Sequence, residues 1–247
     1  YETPDGGNIG LRKNISLLGN ITSGTNSSNL IRLLFNSGLE DILQPENNKL
    51  TYTRVFLNES LIGYTKKPLF MNRKLKLLKR NGLINIYTSI AWYIDNQIIR
   101  ISTDSGRAVR PVLIVKDSET RLTEAIIEKV KNKELNWYNL VCGLSNKRTV
   151  DDSDGMYYHV DYENDLERLE KESGIIEYID AEESNVSLIA IDHRALKNTI
   201  DKYNYCEIHP SLALGALAAS IPAVQMNQQP RNLFSTGQSK QSLGIYA

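Results

Sequence analysis

The chain has 247 residues, 41% of them hydrophobic, and its 29 basic residues balance 29 acidic residues. This length and composition allow one or two domains with buried cores, and the zero net charge argues against an autonomous nucleic-acid-binding protein, since such proteins are usually basic. No apolar run is long enough to cross a bilayer, so no membrane association is predicted. Cys142 and Cys206 stand far apart and outside any CxxC pair, so no zinc site is predicted.

The first half of the chain predicts strands separated by two helices. Residues 11–21 are expected to be extended. The apolar positions of residues 28–36, followed by Gly38, predict a short helix. Strands are predicted at residues 51–57, 61–64, 89–94, 97–102 and 110–115, with 89–102 forming a hairpin. The basic segment 66–80 predicts an amphipathic helix, whose charged face is exposed to solvent or, as an alternative, to nucleic acid.

The second half is more charged and less regular. Its predicted features are a helix over 119–133, an irregular polar segment over 147–159, a helix over 166–172, paired strands at 175–179 and 186–191 around an acidic turn, and an Ala-rich helix over 212–219 closed by Pro222. The fold class is therefore predicted to be α+β, built from several small mixed units.

Blocks near the two ends carry the most informative pattern. CEIHPS at residues 206–211 precedes NQQPRN at 227–232, and ETPDGGNIGL occupies residues 2–11. In this order the blocks resemble the second-largest subunit of multisubunit DNA-directed RNA polymerases, of the eukaryotic, archaeal and large-DNA-virus type. TDSGR at 103–107 and GIIEYIDAEE at 174–183 resemble the external domains of that subunit, whereas residues 119–164 match weakly.

The resemblance implies an order of domains along the chain. Residues 1–24 correspond to the end of the fork region, 25–116 to the first external domain, 117–202 to the second, and 203–247 to the start of the hybrid-binding domain. The chain begins at Tyr1 rather than Met, and the family's subunits are several times longer. We therefore expect a piece of a longer protein.

The same resemblance implies a function and partners. The chain would be part of a polymerase core that synthesises RNA from NTPs on a DNA template, and it would line the fork and the RNA–DNA hybrid and nucleotide site. Its partners would be the largest subunit, smaller subunits, DNA and the transcript. Mg²⁺ would be held mainly by the largest subunit, so the fragment alone is expected to be inactive and to hold no metal. The enzyme would act in the nucleus of a eukaryotic cell, or in the cytoplasm or virion for a virus.

Arg231 is the candidate catalytic residue. Nucleotide addition is a phosphoryl transfer in which negative charge builds on the triphosphate, and a planar guanidinium suits phosphate oxygens. The resemblance places the matching Arg at the nucleotide's phosphates, whereas spacing alone favours a structural ion pair. Lys240 and Gln241 are candidates for sequence-independent contacts with phosphate or sugar, with a solvated turn as the alternative.

Glu2 and Arg12 complete the candidate nucleotide or nucleic-acid contacts. Glu2 either orients an active-site group or fixes its own loop, and Arg12 faces either nucleic acid or solvent. His209 is a possible acid or base, but beside Pro210 a hydrogen-bonded structural role is favoured.

Two other functions stay open at this point. The chain is either an assembly scaffold, with residues 28–199 binding other subunits, or a stand-alone nucleic-acid-binding protein derived from the subunit. Loss of assembly on mutation would indicate the first, and salt-dependent binding by the isolated chain would indicate the second.

Overall fold

The computed structural model describes residues 2–42, 52–143, 163–197 and 202–242. Contacts divide the chain into two units, the first formed by residues 1–20 with 208–247 and the second by residues 21–207. The described elements mix helices with short strands, which confirms the α+β class. None of the described helices is both long and apolar enough to cross a membrane. The predicted irregular segment at 147–159 lies outside the described residues.

The second unit contains a sheet with the strand order β2, β4, β3, β6, β5. Its strands are β2 (Leu39–Asp41), β3 (Thr53–Leu57), β4 (Ser60–Thr65), β5 (Ser89–Tyr93) and β6 (Ile98–Ser102). β3 and β4 form a hairpin whose turn residues, Asn58 and Glu59, have φ angles of 47° and 67°, as a two-residue hairpin turn requires. The predicted hairpin of β5 and β6 is confirmed, and β3 pairs with β6 in parallel.

Two helices bury their apolar faces in a core shared with this sheet. They are α1 (Ser28–Asn36), as predicted, and α2 (Pro68–Arg80), which begins at a proline because the first helical N–H groups need no partner. The core includes Leu33, Leu34, Val55, Met71, Leu75, Leu78, Ile90 and Ile99. Each fully buried Leu or Ile contributes about 1.5–3 kcal/mol relative to an exposed one, so this core stabilises the unit.

A second sheet is built around the long apolar strand β7 (Ala108–Lys116). The other described strands here are β1 (Asn20–Ile21), β8 (Glu119–Thr120), β9 (Ile176–Asp180), β10 (Ile189–Ala190) and β11 (Tyr205–Cys206). β7 pairs antiparallel with β8, β9 and β11, and β10 pairs with β11 in parallel. This sheet has its own buried cluster, which includes Val112, Ile114, Ile179 and Tyr205.

The prediction of a single helix over residues 119–133 is wrong for its first residues. The chain turns back on β7 through Asp117 and Ser118, whose φ angles are 53° and 64°, and forms β8 before α3 (Glu124–Lys131). Pairing with β7 satisfies backbone groups that a helix would otherwise bond internally. Neither α4 (Trp137–Cys142) nor α7 (His193–Lys197) was predicted, whereas α5 (Glu163–Glu172) confirms the helix expected over 166–172.

The predicted strand pair around residues 180–183 is also wrong. The acidic segment is a helix, α6 (Ala181–Asn185), and Asp180 caps it by accepting a hydrogen bond from the Glu183 N–H at 2.9 Å. An Asp followed three residues later by Glu is an N-terminal helix signal. β9 pairs with β7 instead, and residues 189–190 pair with β11.

A cluster of buried charges lies where α2 meets β9 and α6. The Lys79 Nζ lies 2.8 Å from Glu183 Oε2 and 3.4 Å from Glu177 Oε1, and the Arg80 Nε lies 2.8 Å from Glu177 Oε2. The expected solvated basic face of α2 is therefore wrong at its C-terminal end. The carboxylates come from about a hundred residues further along the chain, where the periodicity of α2 alone cannot reveal them.

The charges of this cluster shift one another's titration. Burial raises the pKa of the Glu183 carboxyl, and the Glu177 carboxylate adds to that effect. Burial acts on Glu177 in the same direction, but the charges of Arg80 and Lys79 outweigh it and lower the pKa of Glu177 to about 2. Burial alone would lower the pKa of Lys79, yet the attraction of Glu183 and Glu177 raises it.

The first unit is made of turns and short helices. Residues 11–19 form turns and irregular backbone rather than the expected extended segment, of which only the two residues of β1 form a strand. The helix expected over 212–219 is split into a 3₁₀ turn (Pro210–Ala213) and α8 (Ala216–Ala219). The split falls where Leu214 and Gly215 adopt extended backbone. The chain then forms α9 (Gln229–Ser242), which was not predicted.

Candidate nucleic-acid interface

Arg231 lies in the first turn of α9, and its side chain is exposed. Pro230 precedes it at a position where a helix needs no N–H donor, and the Arg231 N–H donates to the Gln228 carbonyl at 3.0 Å. Within the described part of the chain, no carboxylate lies within ion-pair distance of its guanidinium. The structural ion pair that spacing favoured is therefore absent among the described residues, and the guanidinium is available to an anion.

The buried side of α9 fixes the direction of Arg231. Asn232, Leu233 and Thr236 are buried, and the Asn232 Nδ2 donates to the Val224 carbonyl at 3.1 Å. At about 100° per residue, these three lie on average about 150° around the helix from Arg231. Asn232 is a positioning residue that the sequence analysis missed, although its spacing with Leu233 and Thr236 matches one helical face.

Phe234 is a second feature of the exposed face that was not assigned a role. It follows Arg231 by three residues, so both lie on the same side of α9, and 51% of Phe234 is exposed. An aromatic ring beside a guanidinium is typical of surfaces that contact single-stranded bases and their phosphates.

Lys240 and Gln241 are exposed in the last turn of α9. Nine residues separate Arg231 from Lys240, which corresponds to about 13 Å along the axis and two and a half turns. The two cations therefore project from opposite sides and cannot hold one phosphate together. They suit separate groups of an extended ligand.

Glu2 is held by the N-terminus of α8. Its Oε1 accepts a hydrogen bond from the Ala218 N–H at 2.7 Å, a favourable place for a carboxylate. A Cβ atom on Gly215 would lie 2.5 Å from Oε1, so the glycine leaves room for the carboxylate. This contact supports the alternative in which Glu2 fixes its own loop, while a direct nucleotide contact stays a prediction.

The segment that carries Arg12 is organised by its own hydrogen bonds. Thr3 Oγ1 donates to the Arg12 carbonyl and accepts from the Gly10 N–H, both at 2.9 Å. Gly6 and Gly10 have φ angles of 88° and 75°, which favour glycine. The Leu17 N–H donates to the Leu214 carbonyl at 2.9 Å, so the segment is tied to residues 208–242. Arg12 itself is exposed.

The first unit is locally basic although the chain is neutral. Residues 208–247 contain no Asp or Glu at all. The unit has four basic and two acidic residues, a net charge of +2, from Arg12, Lys13, Arg231 and Lys240 against Glu2 and Asp5. An exposed basic surface is the electrostatic signature of phosphate contact.

His209 has a structural role. Its Nδ1 accepts a hydrogen bond from the Ser211 N–H at 3.2 Å and lies 2.6 Å from Ser211 Oγ. It thereby caps the turn Pro210–Ala213. This agrees with the favoured interpretation of His209 over an acid–base role.

The described residues contain no group of three or more His, Cys, Asp or Glu side chains placed to bind a metal ion. Mg²⁺ prefers carboxylate oxygens and water in octahedral geometry, and Glu2, the acidic candidate of the first unit, already accepts a backbone hydrogen bond. This site therefore does not fit Mg²⁺.

Comparison with known families gives two matches, which lie in the second unit except for the last three residues of the second match. Residues 55–116 match the model of RNA polymerase Rpb2, domain 4, and residues 167–210 match RNA polymerase Rpb2, domain 5. The first match covers β3 to β7, and the second covers β9 to β11 with most of α5.

Individual proteins match over the whole chain. It is 34% identical to the DNA-directed RNA polymerase II subunit RPB2 of Encephalitozoon cuniculi and 30% identical to the DNA-directed RNA polymerase subunit Rpo2 of Sulfolobus acidocaldarius, each over 100% of this chain. It is 33% identical to the DNA-directed RNA polymerase III subunit rpc2 of Dictyostelium discoideum over 97% of this chain.

The chain spans 20% of the length of the first two relatives and 13% of the third. The two family models match in the order of their domain numbers, and the identity extends across the basic first unit as well. The chain belongs to the family of second-largest RNA polymerase subunits and corresponds to a part of such a subunit that includes domains 4 and 5 of Rpb2.

Proposed function

We propose that this chain is a working part of a DNA-directed RNA polymerase that synthesises RNA from NTPs on a DNA template. In that enzyme, the first unit would line the fork and the hybrid and nucleotide site. The observation that carries the proposal is the exposed guanidinium of Arg231 on α9, in a segment with no acidic residue. The resemblance of residues 227–232 to the family's nucleotide site supports the same role.

The chemistry follows from the charge that develops during nucleotide addition. As the bond to the leaving pyrophosphate breaks, negative charge accumulates on its oxygens, and a pre-positioned guanidinium stabilises that charge. The buried contacts of Asn232 and Leu233 hold α9 so that Arg231 faces away from its own unit. Lys240 and Gln241 would contact phosphate or sugar further along the strand without reading sequence.

The other members of the assembly follow from the same proposal. The largest subunit and the smaller polymerase subunits would be protein partners, and Mg²⁺ would be held mainly by the largest subunit. The end of the fork (1–24) and the start of the hybrid-binding domain (203–247) would together contain the first unit, and the external domains would be 25–116 and 117–202. In a eukaryotic cell the enzyme would act in the nucleus.

The test is the rate of single-nucleotide addition by the assembled enzyme carrying Arg231→Ala. We expect the rate to fall about tenfold or more, because one charge-assisted contact to the transition state is lost. Arg231→Lys should recover part of the rate, since it keeps the charge but loses the planar fork. Arg32→Ala, at an exposed arginine of α1, is the matched control. An unchanged rate with Arg231→Ala would show that Arg231 has no such role.

A second candidate function is an assembly scaffold within residues 28–199. No described residue of α3 is buried, and the helix exposes Ile127 and Val130, which favours coverage by another subunit. If so, Ile127→Asp with Val130→Asp should reduce recovery of partner subunits with the tagged protein while leaving the addition rate of the assembled fraction unchanged. Normal recovery would exclude this role for α3.

A further inference from the structure

A cavity in the second unit has cations as half of its lining residues, and it shares Arg80 with the buried charge cluster. Its volume is about 640 Å³, and it lies between α2, β7, the segment after β8 and the C-terminal end of α5. The lining side chains that bear on what the cavity could bind are Arg73, Arg80, Lys116, Arg121, Glu170 and Ser173.

Three of the four cations share two carboxylates. Glu170 lies between Arg73 and Lys116, with its oxygens 2.7 Å from the Arg73 Nη2 and 2.6 Å from the Lys116 Nζ. Both cations remain more than half exposed, at 57% each. Arg80 is paired with Glu177 behind the cavity.

Arg121 is held by neutral acceptors. Its guanidinium donates to the Ser173 hydroxyl and to the carbonyls of Glu170 and Lys171, at 3.0 and 3.3 Å for the two carbonyls. None of its hydrogen bonds among the described residues goes to a carboxylate. Burial, followed by the nearby charge of Arg80, lowers the pKa of Arg121, and the Glu170 carboxylate opposes this shift in part.

The charges of the cavity leave a surplus of two. Four cations, Arg73, Arg80, Lys116 and Arg121, line the cavity, and two of these charges are offset by Glu170 in the lining and by Glu177, the partner of Arg80, for a net charge of +2. The two other charged lining residues, Lys171 and Glu167, cancel. A dianion would therefore balance the site.

We propose that this cavity binds a phosphate monoester dianion. A terminal monoester carries close to two negative charges at neutral pH and three acceptor oxygens, and it can enter a recess. A diester of a nucleic-acid backbone carries one charge and is flanked by sugars on both sides. Arg121 contributes a positive charge, with both Nη atoms already donating to Ser173 and to backbone carbonyls at the end of α5, and Arg73 and Lys116 offer flexible cations that are more than half exposed. A phosphorylated serine side chain and a nucleoside 5′-monophosphate share this group.

The experiment is calorimetric titration of the full chain at low salt with inorganic phosphate, a phosphoserine peptide and uridine 5′-monophosphate. We expect inorganic phosphate to bind. Whichever of the two monoesters binds more tightly then shows whether the natural ligand is a phosphorylated protein or a nucleotide. Lys116→Gln should weaken binding about tenfold, because a charge-assisted contact is lost. Glu170→Gln should instead tighten it severalfold, because the competing carboxylate is removed. Lys131→Gln, at an exposed lysine of α3, should leave binding unchanged.

The opposite effects of Lys116→Gln and Glu170→Gln on phosphate affinity distinguish a role in binding from a role in holding the fold together. If Glu170 merely held the fold together, its loss would weaken binding or unfold the chain, and circular dichroism of each variant distinguishes these cases. The proposal is overturned if no phosphate binding is detected at about 10 mM, a concentration at which even a weak site would be occupied. It is also overturned if Lys116→Gln has no effect, if folded Glu170→Gln does not bind more tightly, or if an RNA oligomer without terminal phosphate binds more tightly than either monoester.

Discussion

The Nζ atom of Lys79 lies 2.8 Å from the Oε2 atom of Glu183, and their side chains are only 2% and 1% exposed. Each charge loses its hydration in this position, so the pair is stable only while both partners are present. Because α2 and α6 supply one partner each, the contact joins segments 104 residues apart in the chain.

Removal of Lys79 alone should be costly. We expect Lys79→Met to lower the free energy of unfolding by about 3–5 kcal/mol, since it leaves a buried carboxylate uncompensated. Adding Glu183→Gln should recover at least half of the loss, because Gln keeps the acceptor for the Ile90 N–H. Urea unfolding of the chain measures both. Lys66→Ala, in the exposed pair with Glu40, should cost less than about 1 kcal/mol. A similar cost for the two lysines would contradict the prediction.

Acid should destabilise the chain through Glu177. Its pKa is about 2 in the folded state against 4.5 for an unperturbed carboxyl. A lowered pKa means that its stabilising contribution is present above pH 4.5 and is lost as the pH falls toward 2. The difference between these two pKa values corresponds to about 3 kcal/mol in the free energy of unfolding. The raised pKa of Glu183 offsets part of this contribution.

The check is the free energy of unfolding at pH 7 and pH 3. Glu177→Gln should be less stable than the wild type at pH 7 and should lose less stability on acidification. Glu128→Gln, at an exposed position of α3, should keep the wild-type pH dependence. If Glu177→Gln and the wild type lost equal stability, the assignment of the acid sensitivity to Glu177 would be wrong.

Two glycine substitutions should have opposite effects on stability. Gly63→Ala would place a Cβ atom 2.2 Å from the Glu40 carbonyl oxygen, which would push β2 off β4 and cost about 1–3 kcal/mol. Gly237→Ala in α9 meets nothing within 4 Å and should stabilise the helix by about 0.5–1 kcal/mol. Thermal unfolding of both variants tests the prediction, which fails if the two shifts have the same sign.

Lys240→Gln should destabilise a stalled elongation complex and should also reduce the dependence of its stability on salt concentration. One lost phosphate contact weakens the complex at every salt concentration and lowers the slope of log stability against log salt by about one. Complex lifetimes across a salt series provide the measurement, with Lys131→Gln as the control. A slope identical to that of the wild type would indicate that Lys240 contacts no phosphate.

Local signals in the sequence predict the hairpins and α1. The turn residues Asn58 and Glu59, and the apolar spacing of α1 ending at Gly38, each act within a few residues. The formation of these elements therefore does not depend on distant segments of the chain.

Tertiary contacts decide the features that the sequence does not predict. In α9, Pro230 and Gly237 suggest a loop, but the packing of Asn232, Leu233 and Thr236 stabilises a helix. Likewise Lys79 is buried because Glu177 and Glu183 arrive from a distant part of the chain. Among the candidate residues, Arg231 and Lys240 were identified by resemblance, while their placement on opposite sides of one helix depends on α9 itself.

The position of β7 has a consequence for synthesis on the ribosome. Its partner strands β9 and β11 begin 60 and 89 residues after β7 ends at Lys116. At translation rates of about 5–20 residues per second, a nascent chain would expose this apolar strand for roughly 5–20 seconds before β11 is made. The positions of β7 that later pair with β9 and β11 have no partner in that interval, and unpaired apolar strands attract other strands, so we expect the nascent chain to be prone to aggregate then.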